Sequence, residues 1–271
     1  MHSKEVVLDG QRLAYYESDG KGRPVLFLHG NSMSGLSFEK QFASSLGESC
    51  RLVALDLPGH GRSAPAQEPK SACTLPAYAD IVHKFTQRLG LDDALLVGWS
   101  FGGHVLLEAM GQMQESAGLM IFGAPPIGKP LAADAFIPHP LMPLLFTSDL
   151  SREEAASLTA AFFMPDCRIP EFFYEDMRRT DGRAREALAI SIGEGNYTDE
   201  LRIVADLRKP LAIVHGENDP LVSLPYINEL NIPTLWRREV QIIPDAGHTP
   251  HWERAERFNS LLTEFIQATR Q

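Results

Sequence analysis

Ala94-Leu95-Leu96-Val97-Gly98-Trp99-Ser100-Phe101-Gly102-Gly103-His104-Val105-Leu106-Leu107 is the stretch on which the fold turns. An apolar run, a Gly-x-Ser-x-Gly pentapeptide and a helical pattern follow one another without a spacer. That order reads as strand, sharp turn and helix with a serine at the apex, the setting of a nucleophile elbow. Gly98 and Gly102 let the strand and the helix approach closely, while the apex takes a strained backbone conformation that projects its hydroxyl outward. Ser100 is therefore the candidate nucleophile.

Outward from the elbow, short β-rich runs alternate with helical patterns, the signature of an α/β chain. Residues 6–8 and 13–16, joined through Asp9-Gly10, predict an opening hairpin. The continuous apolar runs 25–28, 52–55, 94–97, 119–122, 211–214 and 240–243 predict strands covered on both faces of a mostly parallel sheet. Helical spacing predicts crossover helices over 75–89, 101–113 and 252–268. Between 125 and 207 no buried strand is legible, only proline punctuation and amphipathic stretches at 151–163 and 171–179. A structureless loop of that length is implausible, so this interval is expected to be a helical cap inserted between core segments 1–124 and 208–271. Its clusters Phe162-Phe163-Met164 and Phe172-Phe173-Tyr174 suit either a substrate pocket or the cap's own core.

A serine hydroxyl is barely ionised at neutral pH and needs a base, for which histidine titrates in the useful range. Of nine histidines, His248 in Pro244-Asp245-Ala246-Gly247-His248-Thr249-Pro250 is favoured. It follows the last strand, on the edge where strand carboxyl ends place active groups. His251 is its rival, although its place at the start of the final helix suggests a solvated or capping role. The orienting acid is expected after strand 211–214 in Gly216-Glu217-Asn218-Asp219-Pro220, as Asp219 with Glu217 the competitor. For an oxyanion hole, one backbone N–H is expected from Phe101 and a second from His29-Gly30-Asn31-Ser32, assigned to Asn31 with Ser32 the alternative.

Composition bounds the rest. With 271 residues, 22% charged and 44% hydrophobic, the chain reads as globular and long enough for a sizeable core. A net charge of −10 opposes general affinity for nucleic acid or anionic membranes. The odd, scattered cysteines Cys50, Cys73 and Cys167 predict no disulfide framework and fit a reducing cytosol. The amino terminus carries no secretory apolar region, no run is long enough to span a bilayer, and no ligand spacing calls for a metal or a cofactor. Gly123-Ala124-Pro125-Pro126-Ile127-Gly128-Lys129-Pro130 only imitates a phosphate loop, because its prolines remove backbone donors.

Five motifs in order, His29-Gly30-Asn31-Ser32, Asp56-Leu57-Pro58-Gly59-His60-Gly61-Arg62-Ser63, Gly98 to His104, Asn218-Asp219-Pro220 and Ala246-Gly247-His248, make the chain similar to the α/β-hydrolase superfamily from end to end. Together with Thr180-Asp181-Gly182-Arg183-Ala184-Arg185 they resemble the cytosolic N-acylhomoserine lactone lactonases of that fold. The resemblance implies Ser100, Asp219 and His248 as a triad, Asn31 and Phe101 as oxyanion donors, no cofactor, and a small ester or lactone with an apolar acyl part as substrate. A general carboxylesterase or a carbon–carbon bond hydrolase of ring-cleavage products would use the same residues, and a non-catalytic small-molecule receptor is the alternative of a different class. The tyrosines with which such caps hold substrate have no motif-matched counterpart here.

Overall fold

The computed structural model describes residues 1–269. Eight strands form one sheet: β1 (His2–Leu8), β2 (Gln11–Glu17), β3 (Pro24–Leu28), β4 (Arg51–Leu55), β5 (Leu95–Trp99), β6 (Gly118–Phe122), β7 (Leu211–Gly216) and β8 (Gln241–Ile243). Their order is β1-β2-β4-β3-β5-β6-β7-β8. The opening hairpin pairs antiparallel, β2 meets β4 antiparallel, and every later pairing is parallel. The hairpin turns on Asp9 and Gly10, both at positive φ (49° and 83°), as a tight two-residue connection requires. This is the α/β architecture with a mostly parallel sheet that the apolar runs predict. Runs such as Leu95–Trp99 and Gly118–Phe122 are buried at every position because helices cover both faces.

Helix Leu75–Leu89 begins at Thr74, whose hydroxyl accepts from the Ala77 N–H, and ends at Gly90 in the left-handed region. It packs beside the elbow helix Phe101–Ala109, which is four residues shorter than the apolar spacing predicts. The expected helix at 252–268 is broken at Arg254 into Pro250–Glu253 and Ala255–Ala268. That break leaves the first piece free to turn inward behind the site.

Between β6 and β7 the chain holds helices Arg152–Ala160, Glu171–Arg179, Gly182–Gly193 and Glu200–Asp206, with a 3-10 turn at Met142–Phe146. Ser151 and Glu154 close a capping box on the first of these. Phe162, Phe163 and Phe173 of the aromatic clusters pack as interior, whereas Phe172 and Tyr174 are half-buried. Phe173 stacks edge-on to Phe163 at 4.9 Å and to Trp252 at 5.1 Å, and Phe162 lies 6.1 Å from Trp99.

A parallel sheet gathers its strand carboxyl ends on one edge, so the loops after β3, β5, β6, β7 and β8 meet there. One close meeting is at the elbow. A Cβ on Gly102 would fall 2.4 Å from the Leu28 carbonyl oxygen, backbone that cannot yield. Gly102→Ala is accordingly expected to cost about 1–3 kcal/mol of stability. An unchanged urea midpoint would show that the strand and helix have slack the geometry denies.

Candidate active site

Ser100 sits between β5 and the elbow helix at φ 52° and ψ −120°, a conformation that L-residues rarely adopt. Its N–H donates to the Phe122 carbonyl at 2.8 Å, and its own carbonyl accepts from Gly103 at 2.8 Å. The strained apex is thus held from both sides. Its side chain lines a cavity of about 280 Å³ whose wall also includes Asn31, Phe101, His104 and His248.

His248 is buried on the loop after β8, with Nδ1 2.9 Å from Asp219 Oδ2. Burial works to raise the Asp219 carboxyl, but the adjacent imidazole and the Leu221 N–H outweigh it and hold the group below its ordinary pKa. The carboxylate is therefore the acceptor and the ring N–H the donor, which leaves Nε2 as the basic nitrogen. Asp219 Oδ1 accepts from the Leu221 and Val222 N–H groups at 2.9 and 3.2 Å, so both oxygens are engaged. Glu217, the competitor, is exposed and accepts instead from the Asp245 N–H. Of the two acids it is Asp219 that meets the imidazole. Ser100 and His248 line the same cavity, and the hydroxyl and ring form no hydrogen bond in this conformation.

Asn31, at the end of β3, also lines the cavity, whereas Ser32 turns away at φ 60°. Among the described residues neither the Asn31 nor the Phe101 backbone N–H has a hydrogen-bond partner. The loop is pinned from behind. Asn31 Nδ2 donates to the Leu145 carbonyl, Ser32 Oγ donates to Asn31 Oδ1, and Arg185 Nη1 donates to Ser32 Oγ. Arg185 is buried, donates its other N–H groups to the Thr147 and Ser148 carbonyls, and has its pKa lowered by that burial.

Two positioning residues escape the motif reading. Trp99 Nε1 donates to the His248 carbonyl at 2.9 Å, tying the His248 loop to the strand that leads into Ser100. Gly123, at φ 61° after β6, lies under the imidazole, where a Cβ would be 2.7 Å from His248 Cε1. The signal for the first was its place inside the pentapeptide; the second had none beyond a glycine after a strand.

The other histidines divide plainly. His104 Nδ1 lies 3.0 Å from both oxygens of Glu200, a carboxyl without solvent exposure whose pKa burial raises against the pull of that ring. His60 stacks on Phe101 and is pushed down to about 4 by burial. His251 is neither solvated nor a cap. The inward turn of Pro250–Glu253 buries it completely among Phe38, Trp99, Phe122 and Phe258, and neither ring nitrogen has a partner. Among the described residues no group of three or more His, Cys, Asp or Glu side chains is placed to hold a metal ion, and no helix is long and apolar enough to cross a membrane. Cys50, Cys73 and Cys167 are free.

A strained serine at a strand-to-helix elbow, facing an apolar cavity beside a histidine–carboxylate pair, defines an α/β protein with the architecture of the nucleophile-elbow hydrolases. The chain belongs to the alpha/beta hydrolase family, whose model matches residues 25–261. A structure of a mutant of N-acyl homoserine lactonase AidH complexed with N-hexanoyl homoserine lactone is 33% identical, has a TM-score of 0.96, and covers 100% of this chain and 99% of its own. The 2-hydroxy-6-oxononadienedioate/2-hydroxy-6-oxononatrienedioate hydrolase 1 of Dechloromonas aromatica is 25% identical over 279 residues, 97% of this chain and 93% of that protein. A non-heme haloperoxidase of Rhodococcus erythropolis is 25% identical over 277 residues, covering 96% and 97%.

Burial, reinforced by the nearby His248 and Lys40, holds the His251 imidazole neutral far below its ordinary pKa of about 6.5. The unfolded chain binds that proton as pH falls through 6.5 and the folded chain does not, so this group's contribution is intact above 6.5 and lost below it. His251→Leu is expected to gain on the parent by about 1.4 kcal/mol per pH unit between roughly pH 6 and 5. Parallel stability curves from urea titrations across that window would overturn the assignment.

Proposed function

We propose that this protein is a serine hydrolase that opens a carboxylic ester or lactone through an acyl-enzyme, with an N-acylhomoserine lactone as its substrate class. What carries the reading is one constellation: Ser100, His248, Asn31 and Phe101 line a single apolar cavity, with Asp219 bonded to His248 from behind and the Asn31 and Phe101 N–H groups unpartnered. The 33% identity to a lactonase over the whole chain supports the substrate class. The free cysteines support a reducing, cytosolic setting.

The chemistry follows from the placement. His248 Nε2 takes the Ser100 proton as Oγ attacks the carbonyl carbon, and the oxygen that becomes anionic is met by the Asn31 and Phe101 N–H groups. Phe101 opens the elbow helix, whose positive dipole end adds to that stabilisation. Collapse expels the alkoxide, which takes the proton from His248. In a lactone the alkoxide stays tethered to the acyl group. Water then attacks the acyl-enzyme with the same base, and the ring-opened hydroxy acid leaves. Segment 125–207 acts as a cap: its Ile127, Phe136, Met142, Leu145 and Leu188 side chains wall the cavity and suit an acyl tail.

The deciding experiment is a panel of acylhomoserine lactones of increasing chain length beside simple aryl esters. Turnover of the lactones is expected, and inactivity on all of them with retained aryl ester hydrolysis would leave a general esterase. Ser100→Ala is expected to abolish hydrolysis in a folded protein. Asp219→Asn is expected to lower kcat by up to about 10⁴-fold, the scale of losing the orienting acid, while Glu217→Gln stays near the parent. A larger loss for Glu217→Gln would exchange the two acids.

A further inference from the structure

Four polar residues line the cavity, Asn31, Ser100, His104 and His248, against walls that are otherwise almost wholly apolar. Hydrolysis as derived above uses the positions of three. His104 is left over, and it is held as deliberately as the base itself. It stands one turn along the elbow helix from Ser100, with Nδ1 3.0 Å from both carboxyl oxygens of Glu200. Glu200 has no solvent exposure and also accepts from the Ile127 N–H at 2.8 Å. Burying a carboxyl this completely is unfavourable unless its bonds are made and its placement is needed.

In the tautomer whose Nδ1–H donates to Glu200, the ring presents Nε2 as an acceptor. Among the described residues nothing in the protein bonds to Nε2, and it is not shut away from solvent. A lone acceptor in an apolar wall selects for a donor on whatever fills the cavity, since an unmet polar atom there costs more than a met one gains. One helical turn is roughly 5–6 Å. That separation from the nucleophile suits a donor two bonds from the attacked carbonyl carbon, once a hydrogen bond of about 3 Å is added.

We propose that His104, clamped by Glu200, is a specificity residue that accepts a hydrogen bond from a secondary amide N–H beside the scissile carbonyl. The proposal rests on reading this cavity as the substrate chamber. It assigns the amide of an acylated substrate, not only its acyl tail, a dedicated partner.

The test uses two probes without an ester, N-cyclopentylhexanamide and the ketone in which CH₂ replaces its N–H, titrated calorimetrically into the full-length protein. The amide is expected to bind about tenfold more tightly, the value of one satisfied hydrogen bond. That ratio should fall to near one in His104→Leu, and fall in part in Glu200→Gln, whose amide tolerates either tautomer of the ring. A pair that merely tied the elbow helix to helix Glu200–Asp206 would lower the melting temperature in both variants without moving the ratio. Equal binding of the two probes by the parent, no binding of either, or a ratio that survives in folded His104→Leu would each overturn the proposal. Because neither probe is hydrolysed as an ester, the result stands apart from the lactone panel.

Discussion

Everything at the site depends on the close approach of β5 and the elbow helix around one strained residue. Ser100 stays at positive φ because its N–H is taken by the Phe122 carbonyl and its carbonyl by Gly103. The second bond is lost if the helix stands further off. The approach is possible only where side chains are missing: a Cβ on Gly98 would lie 2.6 Å from Gly103 Cα, and one on Gly103 would lie 2.6 Å from Ala124 Cβ. Strain of this kind costs of order 1–3 kcal/mol and persists where the surroundings over-determine it. Here three strands and a helix do so.

The same contacts extend to the base. Trp99, adjacent to the nucleophile, holds the His248 carbonyl, and Gly123, next to the residue that fixes the Ser100 N–H, leaves room for the imidazole. Glu253 completes the frame by accepting from the Gly247 and Met164 N–H groups, joining the base loop to the helical segment. Ser100 and His248 are therefore coupled through backbone. A disturbance at β6 would reach both.

Much of this was legible in the residues because it is local. An uninterrupted apolar run implies a strand buried on both faces, and glycines flanking a serine between strand and helix imply an elbow, so Ser100, His248, Asp219, Asn31 and Phe101 came from motif and order alone. What escaped was non-local. His251 looks like a helix-start residue until the break at Arg254 turns its helix inward, and only tertiary packing makes it an unpartnered interior imidazole. Glu200 belongs to none of the motifs in the sequence. Its partner lies 96 residues earlier, on the elbow helix. The helix at 101–113 was overextended because Met110 and Met113 continue the apolar spacing beyond the last helical turn, into turns where burial rather than helix places them.

The helical segment is more than a cover. Ser34 donates to Asp176 of helix Glu171–Arg179, Arg185 of the next helix donates to Ser32, and Asn31 donates to Leu145. All three core partners lie in the four residues 31–34, the loop that offers the Asn31 N–H to the cavity. Burial raises Asp176 to about 7, with the Ser34 bond opposing it, so near neutral pH this joint is part neutral and part charged. Asp56, raised by burial to about 6, stands close enough to push Asp176 further up. Two carboxyls that disfavour each other's charge sit where the segment meets residues 31–34. The segment cannot shift as a body without disturbing residues 31–34. Access to the cavity is therefore expected to involve the exposed stretch around Leu131, which makes none of these bonds, rather than the turn and helices bonded to residues 31–34.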